Sequence, residues 1–109
     1  MAAALLNAAE YAALAADIAL PNQAFVDGAF VPALSGATFE TTNPATGKRL
    51  TEIAACGPED VDVAVAAART AFEDGRWSRL APGERKKTLL RFADLLEQHA
   101  HELAVMETL

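Results

Sequence analysis

A turn carrying proline and glycine, Asn43-Pro44-Ala45-Thr46-Gly47, is the feature that most restricts how this chain can fold. Thr38, Phe39, Thr41 and Thr42 before it favour an extended backbone, and Leu50 to Ala55 after it resume one. Proline removes a ladder donor and glycine permits a left-handed turn position, so the two runs must stop at the turn and fold back. The stretch from Phe39 to Ala54 is therefore expected to be a strand pair. Its side chains include none that would activate a nucleophile or hold a metal.

The same grammar appears just upstream. Ala24-Phe25-Val26 and Ala29-Phe30-Val31 flank Asp27-Gly28, a pair suited to the positive φ values of a two-residue hairpin turn. Leu34 to Ala37 then reads as a loop. The Ala- and Leu-rich lead-in, residues 1–21, predicts a short helix ended by Pro21-Asn22, with Leu6, Ala9, Ala13 and Ala16 at helical spacing. It has no basic start, and Glu10 and Asp17 interrupt the apolar run, so it fits neither a signal peptide nor a membrane span.

Beyond the turn the pattern becomes helical. Pro58-Glu59-Asp60 has the composition of a helix start, Val61, Val65, Ala68 and Phe72 fall on one face, and Gly75 should end the helix. Ala64, Ala67, Ala68 and Ala71 form a small-residue face that permits close approach of another backbone. Trp77 is expected to anchor the connector. A second long helix is expected from Pro82 to the last residues, with Leu89, Phe92, Ala93, Leu96, Ala100, Leu103 and Ala104 inward. No Gly, Asn or Pro closes that helix, which suggests a boundary imposed on a longer protein.

Composition narrows the function classes. The chain has 109 residues, a net charge of −6 and seven aromatics (five Phe, one Tyr, one Trp), and its 52% hydrophobic fraction is inflated by alanine. So few bulky groups make a marginal core and favour packing against further structure. The negative balance argues against nucleic acid and against an anionic membrane as partners. His99 and His101 lie two residues apart and do not share a helix face, Cys56 stands alone, and no glycine-rich phosphate loop or catalytic triad is present. No catalytic and no cofactor-binding residue can be nominated within the chain. A reducing, cytoplasmic setting suits the single cysteine.

An ordered set of short words carries a resemblance. Phe25-Val26-Asp27-Gly28, Phe39 to Gly47, Glu59-Asp60-Val61-Asp62, Ala66 to Phe72, Trp77, Arg85, Ala93 to Glu97 and Glu107-Thr108-Leu109 together resemble the start of the NAD(P)-dependent aldehyde dehydrogenase superfamily, over about Asn22 to Leu109. Asp17 to Leu20, Phe72 to Ser78 and His99 to Ala104 look most like the bacterial γ-glutamyl-γ-aminobutyraldehyde dehydrogenases of putrescine breakdown. The resemblance implies an α/β fold, seen here as an α+β fragment without its Rossmann-type sheet: a helical lead-in (1–21) and the truncated beginning of a coenzyme-binding domain (22–109).

It also implies oxidation of an aldehyde to a carboxylic acid with NAD or NADP, by a homodimer or homotetramer whose catalytic and dinucleotide-binding residues all lie downstream. The segment alone is expected to be inactive. One implied site touches the chain: the backbone carbonyls of Thr41 and Thr42 would offer half of a K⁺ or Na⁺ site, completed by residues not in this sequence. The competing reading is a self-standing helical and β-hairpin module that binds a protein through the apolar face of its last helix.

Overall fold

The computed structural model describes residues 4–109 and contains four helices and two β-hairpins. The first three residues of the expected lead-in helix lie outside the described part. The chain divides into two compact units. One comprises the stretch up to Leu20 together with Ala81–Leu109, and the other is Pro21–Leu80.

The central unit is built from turns. β1 (Ala24–Val26) and β2 (Ala29–Val31) pair antiparallel, with Phe25 opposite Phe30 and the two rings meeting edge to face at 5.2 Å. Asp27 and Gly28 both take positive φ, 49° and 80°, as a tight turn of this kind requires. β3 (Thr38–Thr42) and β4 (Arg49–Ala54) form the second antiparallel pair. The two hairpins are separate two-stranded sheets, not one. A backbone bond from Ala54 N–H to the Asn22 carbonyl (2.9 Å) and one from Ala55 N–H to Ala37 (2.8 Å) tie the end of β4 to the segments flanking the first hairpin.

α2 (Pro58–Glu73) opens with proline, as expected, and its backbone continues to Asp74. Gly75 follows in the left-handed region at φ 75°, and Arg79 wraps over it to donate to the Glu73 carbonyl at 2.9 Å. The packing face of α2 is the small-residue one. Ala64, Ala67, Ala68 and Ala71 face Phe25 to Gly28 across a shallow cleft of about 340 Å³. Small side chains let the hairpin come close, whereas the bulkier stripe of Val61, Val65 and Phe72 stays open, each more than half exposed. Arg76 bridges the connector to the hairpin tip, donating to Asp74 at 2.6 Å and lying 3.9 Å from Asp27. Its hydrogen bonds hold the Asp74 carboxyl below the usual carboxylate range. Trp77, expected to anchor this connector, remains 42% exposed.

The other unit is all helical: α1 (Ala8–Asp17), α3 (Pro82–Gln98) and α4 (Ala100–Thr108). α1 is shorter than the lead-in pattern implied. Asn7 caps it, accepting from the Ala9 and Glu10 amides, while the Glu10 carboxylate accepts from Asn7 N–H at 2.7 Å. This reciprocal box fixes the start after Leu6, which the apolar spacing had placed inside the helix. Ile18 leaves the helix with an extended backbone, before Pro21.

The long last helix is interrupted. His99 departs from helical geometry (φ −104°, ψ 19°) and its side chain pairs with Glu102. No glycine or proline marks the break. Its consequence is a change of face: α4 turns His101, Val105 and Leu109 inward, four residues apart, and leaves Leu103 43% exposed. Among the described residues only Ala33 and Val105 are buried apolar residues, one in each unit. No helix of the described part is long and apolar enough to cross a membrane.

Candidate functional site

The residues nominated from sequence, Thr41 and Thr42, sit at the end of β3 where the ladder is irregular. Thr41 faces Thr51 and Thr42 faces Arg49, so Leu50 on β4 is an extra residue and the pairing slips between the two threonines. A bulge of this type bends the strand and re-aims the backbone groups beside it. Immediately after it, Asn43 closes the turn with its backbone N–H, its backbone carbonyl and its side-chain oxygen. Its N–H donates to the Lys48 carbonyl (2.8 Å), its carbonyl accepts from Gly47 N–H (2.8 Å) and Thr46 N–H (3.3 Å), and its side-chain oxygen accepts from Ala45 N–H (2.8 Å). The side-chain bond spans Pro44, whose fixed φ pre-sets the turn.

The charge around the bulge is spoken for. Glu40 and Glu52 are directly opposed across the ladder, and Arg49 lies between them, 3.2 Å from one and 3.4 Å from the other. Like charges facing each other destabilise a strand pair, so Arg49 offsets a local repulsion. Thr41 and Thr42 themselves bring no charged side chain to this end of the hairpin. Among the described residues no group of three His, Cys, Asp or Glu side chains could hold a metal ion.

A strand-turn-helix junction, β4 to Cys56-Gly57 to α2, has the outline of a phosphate site, but its chemistry is wrong for one. Asp60 turns back over the helix start, accepting from Gly57 N–H at 2.8 Å and from Leu34 N–H at 2.8 Å. A carboxylate therefore occupies the place of an anion and repels another, with Glu59 adding to the effect. No dinucleotide phosphate fits there. Cys56 is exposed and free, with no histidine paired to it. The two histidines have separate partners: His99 pairs with Glu102, and His101 Nδ1 lies 3.1 Å from the Tyr11 hydroxyl. The described residues thus assemble no catalytic set.

Comparison with known proteins supplies what the geometry lacks. A sequence model of the aldehyde dehydrogenase family matches residues 30–109. The chain belongs to the aldehyde dehydrogenase family. Aminoacetaldehyde dehydrogenase of Pseudomonas aeruginosa is 60% identical over 105 residues, 96% of this chain and 21% of that protein. The crystal structure of γ-glutamyl-γ-aminobutyraldehyde dehydrogenase from Burkholderia cenocepacia superposes with a TM-score of 0.91 at 44% identity, covering 95% of this chain and 21% of the other. An indole-3-acetaldehyde dehydrogenase solved with NAD⁺ does so with a TM-score of 0.91 at 45% identity, over 96% and 21%. The aldehyde dehydrogenase chain described here therefore spans about a fifth of the length of the relatives it matches.

The relatives sharpen the fold as well. The four helices and two β-hairpins together match the aldehyde dehydrogenase structures over this span, with the second of the two long helices read from sequence divided into α3 and α4. Missed from sequence were the capping box, although Asn7 three residues before Glu10 signals it, and the Tyr11 to His101 contact, for which the sequence holds no signal.

Proposed function

We propose that this chain is the N-terminal part of an NAD(P)-dependent aldehyde dehydrogenase acting on a short aminoaldehyde of polyamine breakdown. The 60% identity to an aminoacetaldehyde dehydrogenase carries this reading, supported by the close superposition on a γ-glutamyl-γ-aminobutyraldehyde enzyme. The reaction is aldehyde, oxidised nicotinamide and water giving carboxylic acid, reduced nicotinamide and a proton. The nicotinamide accepts the hydride. Residues 1–21 would be a lead-in, and residues 22–109 the beginning of the coenzyme-binding domain, in a cytoplasmic homodimer or homotetramer.

The chain's own contribution is scaffolding. The Asn43 turn and the adjoining bulge hold the Thr41 and Thr42 carbonyls in place, where they would supply half the ligands of a K⁺ or Na⁺ site. An independent interaction module would use the same exposed helix faces, and no separate observation favours it.

The test is direct. The parent protein and the 109-residue chain are each offered aminoacetaldehyde and γ-glutamyl-γ-aminobutyraldehyde with NAD or NADP, and nicotinamide reduction is followed by absorbance. Turnover by the parent and none by the short chain is expected. A parent inactive on both aldehydes would overturn the substrate class, and turnover by clean short chain would overturn the scaffold role. For the cation, the parent's melting temperature should rise in K⁺ or Na⁺ over a bulky organic cation at equal ionic strength; no difference would remove the Thr41 and Thr42 site.

A further inference from the structure

We draw no further inference here: the strongest candidate, the apolar groove between α1 and α4 lined by Tyr11, Ala15, Val105 and Leu109, lies open in a chain that spans about a fifth of the length of its relatives, and nothing in the structure shows what covers it.

Discussion

The β3–β4 hairpin and the α3 helix are made from comparable lengths of chain and are secured in opposite ways. The hairpin closes largely on itself: Asn43 alone makes four hydrogen bonds within its turn, and Arg49 offsets the repulsion between the facing glutamates. α3 has helical backbone bonds and a regular apolar stripe, yet Leu89 and Phe92 are each 58% exposed among the described residues. One region is specified mainly by local chemistry, with backbone bonds from Ala54 and Ala55 to Asn22 and Ala37 at its end. The other is specified by a pattern whose energetic return comes only on burial.

The contrast can be broken from either side. The largest effect is expected at Gly75, where a Cβ would lie 2.6 Å from the Arg79 side chain and the backbone would be held at φ 75°. Gly75→Ala should raise the opening of the last turn of α2 by about 2 kcal/mol, combining left-handed strain with displacement of the Arg79 bond to Glu73, as read by amide exchange. An unchanged rate there would mean that the turn is not what ends α2. Asn43→Ala comes next. Loss of the side-chain bond over Pro44 should loosen the hairpin by about 1 kcal/mol, visible as faster exchange at Gly47 and Lys48. Leu96→Ala should do least, about 0.5 kcal/mol against the ~2–5 kcal/mol typical of a buried leucine, because Leu96 is already 44% exposed. A core-sized loss at Leu96 would show that α3 is covered after all.

What could be read from sequence follows the same division. Asp27-Gly28, the Asn43 to Gly47 turn, Pro58 and Gly75 act through their own backbone restrictions, so their outcomes were legible and the structure has them. The His99 break was not, because no residue there forbids a helix; a side-chain pair with Glu102 and a new inward face replace one continuous stripe. The small face of α2 was legible as a place of close approach, but its occupant, the first hairpin, was not. Asp60 looked like an ordinary first-turn acid and proves to bond Leu34, 26 positions away in the chain. Nothing local encodes such a contact. The Thr41 and Thr42 carbonyls were singled out by resemblance alone, and the structure adds that they flank a bulge.

The central claim is that the helical faces of this chain are complete in pattern and incomplete in cover. Heating the purified 109-residue chain in the presence of a dye that fluoresces on apolar surface tests it most directly. Dye binding already at low temperature and a broad, weakly cooperative loss of helix are predicted. A sharp two-state transition with no dye bound before it would contradict the account.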